Sequence, residues 1–243
     1  MQNIIDFDLD GDIRLRCADF FEKFIVKEKL TSDYILETLR KVICYITSLF
    51  SEGVDNKWNS IFQKLLKSKS LRQVCNLDYP ILKELFISLE NSCKHLSYYW
   101  MQRGITSQEM HDFEDADVFL RQALAIHPNS FQVQHALAKN MMERGLYEKE
   151  KGNSTGIHYF DEGEKAMREL VESPKYSRAL CYSSHSIIEL KLKYINVFKP
   201  SKEQILIISK ELCEILAWVM KVSRDKYINS LKTSSIIFVY NIR

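Results

Sequence analysis

Residues 98–129 read YYWMQRGITSQEMHDFEDADVFLRQALAIHPN, and this stretch decides the fold. Apolar and small residues recur at helical spacing on both sides of a polar break within GITSQEMHD, which predicts two short helices joined by a tight turn. Gly104 and Ala116 are small enough to let the two helices approach closely. Trp100 and Leu120 fill the space between them, Ala123 continues the packed face, and Pro128 ends the second helix.

The pattern recurs downstream. FEDADVFLRQAL (113–124) aligns with FDEGEKAMRELV (160–171), and a shift of 47 residues carries Phe113 to Phe160, Ala116 to Gly163, Leu120 to Met167 and Ala123 to Leu170. Against a 34-residue helix-pair period, that leaves an insertion of 13 residues. It is assigned to GLYEKEKGNSTGIHY, and the polar, glycine-bearing 146–158 stretch is expected to be an inserted loop. Pro174 closes this second pair, and RALCYSSHSIIELKLKYI (178–195) opens a third, with Leu180, Ser183, Ser184 and Ile187 roughly where Trp100, Arg103, Gly104 and Ser107 stood.

Trp100, Gly104, Ala116, Leu120, Ala123 and Pro128 together resemble the tetratricopeptide repeat, whose pattern is W-x2-L-G-x2-Y followed by A-x3-F and P. Arg103 and Ser107 stand where that family has Leu and Tyr. The resemblance covers about residues 97–197 and implies stacked antiparallel helical hairpins, an α-solenoid, with a concave surface made by the first helix of each pair. It places partner-binding residues on those helices away from the packing positions: Tyr98, Met101 and Gln102, then Asn129, Gln132, His135 and Lys139, then Arg178 and His185. The plain alternative for each is a solvated side chain. The phrase PNSFQVQHALAKNMMERGLYE (128–148), with the hairpins after it, is also similar to helical C-terminal sensor regions of prokaryotic STAND-type and sirtuin-type defence proteins. That resemblance implies a regulatory fragment of a larger NTPase or NADase. No GxxxxGK[ST] loop occurs in these 243 residues, so any ATPase would lie on another part of the protein.

Composition agrees with a helical chain. Only 7 glycines and 4 prolines interrupt it, which predicts long helices throughout. The prolines (Pro80, Pro128, Pro174, Pro200) precede apolar periodic runs and are expected in first helical turns. TSDYILETLRKVICYITSLF places Ile35, Leu36, Leu39, Ile43 and Ile46 on one face behind a Thr/Ser/Asp cap. VDNKWNSIFQKLLKSKS places Trp58, Ile61, Phe62, Leu65 and Leu66 together, with Lys64, Lys67, Lys69 and Arg72 as a solvated basic face. The expected class is all-α, organised as an N-terminal helical region (1–96), tetratricopeptide-like repeats (97–197), and a C-terminal helix and tail (198–243). That tail ends in the β-prone SSIIFVYNIR.

Near the N-terminus, DFDLDGDIRLRC (6–17) opens like a calcium-binding EF-hand loop: Asp6, Asp8 and Asp10 alternate ahead of Gly11. The twelfth position, where a bidentate glutamate is needed, is Cys17, and a thiol cannot supply two hard oxygens. The aspartates are therefore read as an acidic turn in which Asp10 or Asp12 caps a helix beginning DIRLRCADFF.

Chemistry-bearing motifs are sparse. The six histidines form neither HExxH nor a Cys/His zinc set, and the six cysteines contain no CxxC pair. His111 with Asp112, Glu114, Asp115 and Asp117 reads as an acidic first helical turn. Ser183, Ser184 and His185 read as packing residues. No catalytic constellation, metal or cofactor is expected. A net charge of +2 from 34 basic and 32 acidic residues provides no field for nucleic acid or an anionic membrane. The expectation is a non-catalytic, cytosolic scaffold or sensor that binds a protein or peptide, without specific nucleic-acid or membrane partners.

Overall fold

The computed structural model describes residues 5–7, 13–15, 31–51, 56–75, 77–173 and 180–222. The chain divides into two compact units, Met1–Pro128 and Asn129–Arg243. Both are helical among the described residues, so the all-α expectation holds, with one small exception.

The exception is at the N-terminus. Strands β1 (Ile5–Phe7) and β2 (Ile13–Leu15) pair antiparallel, with Ile5 opposite Leu15, Asp6 opposite Arg14 and Phe7 opposite Ile13. This corrects the expected helix from Asp12, because residues 13–15 are extended. The cause is visible in the sequence. Ile5, Phe7, Leu9, then Ile13 and Leu15 alternate with Asp and Arg around an Asp-Gly step, a period-2 hairpin pattern that outweighs a capping aspartate. Residues 8–12 and 16–30, which hold most of the proposed loop and helix, lie outside the described residues.

In the first unit the helices are α1 (Ser32–Ser51), α2 (Asn56–Leu66), α3 (Ser68–Cys75), α4 (Tyr79–Cys93), α5 (Ser97–Glu109) and α6 (Phe113–Ile126). The Thr31 hydroxyl accepts the Tyr34 N–H at 3.3 Å, and the α1 face buries Ile35, Leu39, Ile43 and Ile46. Asp78 caps α4 through the Ile81 N–H, with Pro80 in its first turn. The predicted helix over 54–70 is broken at Lys67, so α3 begins anew at Ser68, whose N–H is accepted by Gln102 Oε1 at 3.1 Å.

The α5–α6 hairpin packs at the predicted positions. A Cβ on Gly104 would lie 2.7 Å from Leu120 Cγ and 3.2 Å from the Ala116 carbonyl oxygen, so the helices meet with no room for a methyl group. Ala116, Leu120 and Ala123 are fully buried. Ser97 Oγ donates to the Ala123 carbonyl at 2.8 Å and ties the ends of the pair together. Trp100 Nε1 donates to the Lys94 carbonyl, Tyr99 OH to the Phe86 carbonyl, and the Arg103 guanidinium lies over the Phe119 ring at 4.1 Å while pairing with Glu90.

The second unit holds α7 (Phe131–Glu150), α8 (Gly156–Glu172), α9 (Leu180–Phe198) and α10 (Lys202–Val222). Its core joins Ala138, Met142 and Leu146 of α7, Phe160, Met167 and Leu170 of α8, and Ile187 and Leu190 of α9. The α7–α8 contact repeats that of α5–α6. Gly104 advanced by 34 residues is Ala138, and Ala116 advanced by 47 is Gly163. A Cβ on Gly163 would lie 2.8 Å from the Ala138 carbonyl oxygen and 2.7 Å from the Met142 amide nitrogen.

The 146–158 insertion is not a loop, which is a further correction. Helix α7 has 20 residues against 13 in α5, and α8 has 17 against 14 in α6, so most of the extra chain lengthens the two helices. The turn between them runs only from Lys151 to Thr155, with Gly152 at φ +86°. The sequence pattern around Gly145 and Gly156 predicts loop glycines. They sit instead where the lengthened helices touch, and a Cβ on either would meet the other's carbonyl oxygen at 2.6 Å. Pro128 follows the end of α6 at Ile126, as a helix-ending proline is expected to; neither it nor Pro200 lies in a first helical turn, and Ser130 and Ser201 accept the N–H of Val133 and Gln204 in the cap position instead. Pro174 lies outside the described residues.

Candidate functional site

The side chains expected to face a partner fall into two groups, one in each unit. In the first unit, Met101 and Gln102 are buried and Tyr98 is half-buried. The Tyr98 hydroxyl donates to the Gln63 carbonyl of α2 at 2.9 Å, its ring meets Phe62, and burial pushes its pKa up to about 12. Gln102 accepts from the α3 backbone at Ser68, and Ser68 Oγ donates to Glu109 at 3.2 Å. Helices α2 and α3 thus occupy the face of α5 that the sequence analysis assigned to a ligand. Met101 and Gln102 are buried in these contacts, and Tyr98 is partly covered by them.

In the second unit the predicted residues converge on one ridge. His135, on α7, reaches across to α9: its Nδ1 is 3.0 Å from Ser183 Oγ and its Nε2 is 3.3 Å from Ser186 Oγ. Burial, then the nearby Lys139 and His185, push its pKa down from 6.5 to about 4, so the ring is neutral at pH 7. A neutral imidazole has one donor and one acceptor nitrogen, and the two hydroxyls match either tautomer. His135 is therefore a clamp between two helices. Ser183 is fully buried and Ser186 nearly so, which leaves neither hydroxyl open to a substrate as a nucleophile.

Around this clamp stand the exposed and half-exposed groups. Gln132 is exposed near the start of α7, where its Oε1 accepts from Ser130 Oγ at 3.4 Å, and Asn129 is exposed just before it. Lys139 pairs with Glu143 at 3.5 Å; burial pushes the Glu189 carboxyl up, but the Lys193 ammonium bonded to it at 2.9 Å, with smaller effects from Lys139 and His185, holds it below its ordinary range. His185 lies 3.9 Å from Glu189, and Tyr182 projects from the first turn of α9. Since His135 meets Ser183 and Ser186 while Lys139, one turn on, acts on Glu189, also one turn on, α7 and α9 run side by side in the same direction here. Arg178 lies outside the described residues.

Tyr182, Glu143 and Glu189 were not singled out from sequence. The two carboxylates stand four residues from Lys139 and His185, a helical spacing that was available as a signal. The basic residues Lys64, Lys67, Lys69 and Arg72 are exposed, and Arg72 covers the Tyr79 ring at 4.2 Å and pairs with Glu109. Near His111, Asp112 caps α6 by accepting the Asp115 N–H, and Glu114 and Asp115 fill the first turn. Among the described residues no cluster of three or more metal-ligating side chains occurs, and no helix is long and apolar enough to cross a membrane. No family model, curated protein or solved structure matches the chain.

Proposed function

We propose that this protein is a non-catalytic interaction module of tetratricopeptide-like build, binding a protein or peptide on the α7–α9 ridge. The observation that carries this reading is the His135 clamp. It fixes two same-direction helices beneath a row of solvent-facing groups, Gln132, Lys139, Glu143, Tyr182, His185 and Glu189. A surface whose backbone is held before binding loses little conformational freedom on association, so modest side-chain contacts suffice for specific affinity. In a stack of helical hairpins the first helices line the recognition surface. On the correspondence of Gly104 with Ala138 and of Ala116 with Gly163, α7 is taken as the first helix of its pair, and α9 as the first helix of the pair that follows. The row mixes both charges, which suits a polar peptide or protein surface better than a polyanion.

The test separates binding from folding. Gln132→Ala, Lys139→Glu and His185→Ala together should abolish partner capture while circular dichroism and melting stay at wild-type values, since all three side chains are at least partly exposed. His135 is left intact because it belongs to the clamp. Full capture by a properly folded triple variant overturns the assignment of the ridge.

A further inference from the structure

We propose, independently of the α7–α9 reading, that the α2–α3 bend is a second binding surface, taking the phosphate backbone of duplex DNA without selecting its sequence. Residues 56–77 contain Lys57, Lys64, Lys67, Lys69 and Arg72 and no Asp or Glu. The whole chain nets only +2, so the remainder of it is net negative and the positive charge is concentrated here. Lys64, Lys67, Lys69 and Arg72 are all exposed. Other exposed cations have a carboxylate one helical turn away, as Lys41 has Glu37, Arg121 has Asp117 and Lys193 has Glu189. At the bend Arg72 pairs with Glu109 at 3.5 Å, but no described carboxylate lies within ion-pair reach of Lys64, Lys67 or Lys69.

Like charges a turn apart repel one another, yet the fold pins them in place. Ser68, between Lys67 and Lys69, gives its N–H to Gln102 at 3.1 Å and its hydroxyl to Glu109 at 3.2 Å, so α5 fixes the bend. The Arg72 guanidinium rests over the Tyr79 ring at 4.2 Å. Such a row of cations on a held backbone is complementary to a polyanion, and its surroundings select which one. Ile61, Phe62, Leu66 and Leu71 are buried and Leu65 is half-buried. No described apolar side chain of residues 56–75 is therefore exposed to anchor an acidic protein or to enter a membrane. With Phe62 buried and Tyr79 covered by Arg72, the patch offers no ring on which the bases of a single strand could stack. Its neutral donors are engaged too, Ser68 as above and Gln63 Nε2 with Asn59 Oδ1 at 3.3 Å, which leaves little to read base edges or 2′-hydroxyls. Charge remains. Duplex DNA, with one negative charge per about 1.7 Å of axis, answers it through the release of condensed counterions.

The test is fluorescence anisotropy of the full chain with short labelled DNA duplexes. Binding should be micromolar at about 50 mM salt and weaken about a hundredfold by about 200 mM, a slope of about −3 to −4 in log affinity against log salt for roughly four phosphate contacts. Duplexes of unrelated sequence should bind within about twofold of one another. Lys67→Glu with Lys69→Glu should abolish binding and leave the melting temperature unchanged or higher, because the mutual repulsion is relieved. The same charge change at two exposed cations elsewhere, Lys151→Glu with Lys202→Glu, should weaken binding by less than about twofold, since screening confines the effect to the patch. No binding at low salt, a slope near zero, or full binding by the folded Lys67/Lys69 variant would each overturn the proposal. So would tighter binding of a single strand, or of vesicles rich in anionic lipid, than of the duplex.

Discussion

At the residue scale, the helix contacts turn on four glycines without room for a side chain. Gly104 and Gly163 hold equivalent roles but differ in what surrounds them. The nearest atom to a Cβ at Gly104 belongs to the Leu120 side chain, which can move, whereas at Gly163 it is the Met142 backbone nitrogen. Gly104→Ala should therefore cost less than Gly163→Ala, since the alanine's helix propensity, about 1 kcal/mol, offsets part of the shift that Leu120 must make. Gly163→Ala should cost about 1–3 kcal/mol in urea unfolding, because the α7 backbone itself must give way. These positions were legible in sequence, since a small residue at a fixed helical interval has few other reasons to recur. His135 was not. Its helix position reads as outward, and only the arrival of α9 converts it into a partly buried clamp. Its titration gives a second test. The folded ring protonates near pH 4 and the unfolded one near 6.5, so the unfolded state takes up the proton first as pH falls. Stability attributable to His135 should be complete above about pH 6.5 and decline towards pH 4, by roughly 2–3 kcal/mol. Relative to wild type, His135→Gln should lose that part of the pH dependence; parallel profiles for the two proteins would show that the ring is not buried as described.

Helix α10 is held to its neighbours by charge as well as by apolar contact. Arg168 of α8 bonds Glu164 at 2.5 Å and also reaches Glu211 of α10, while Lys191 of α9 bonds Glu164 at 2.8 Å and lies 3.6 Å from Glu211. Two cations and two carboxylates thus join three helices, with Lys191 and Glu164 mostly withdrawn from solvent. Removing one partner leaves a poorly solvated charge behind, so Lys191→Met should cost about 1–3 kcal/mol. Glu211→Gln added to it should cost less than Glu211→Gln alone, as expected for members of one network, and strict additivity would contradict the linkage. The element that misled the sequence reading most was the 146–158 insertion. Its charges and glycines suggest a loop, yet Glu150 faces solvent at the end of a long helix, Lys149 lies over the Phe198 ring at 5.6 Å, and Gly145 and Gly156 meet across the pair. Glycine was read as a breaker where it serves as a contact. The exposed turn remains as permissive as expected. Ser154→Leu should change stability by less than about 0.5 kcal/mol, whereas Ala116→Leu, at a fully buried contact, should cost about 1–3 kcal/mol.

On the scale of the whole molecule, each unit contains a helix pair brought close at a glycine, but the exposure of the residues expected to meet a partner differs. The sequence assigned partner binding to both units because the first helix of a pair is the surface-lining one in such stacks. In the first unit the preceding helices fill that face, and nothing in residues 98–129 could reveal a cover supplied by residues 56–75. In the second unit the corresponding face stays open around Gln132, Lys139 and His185. The claim that this ridge is the working surface is tested most directly by quantitative capture. Wild-type protein and the Gln132→Ala/Lys139→Glu/His185→Ala variant, matched for melting temperature, are presented in parallel to extract from the native host, and bound proteins are measured by mass spectrometry. The account predicts a discrete partner retained by the wild type and reduced more than tenfold on the variant, equivalent to a loss of over about 1.4 kcal/mol. Equal retention by both would contradict it.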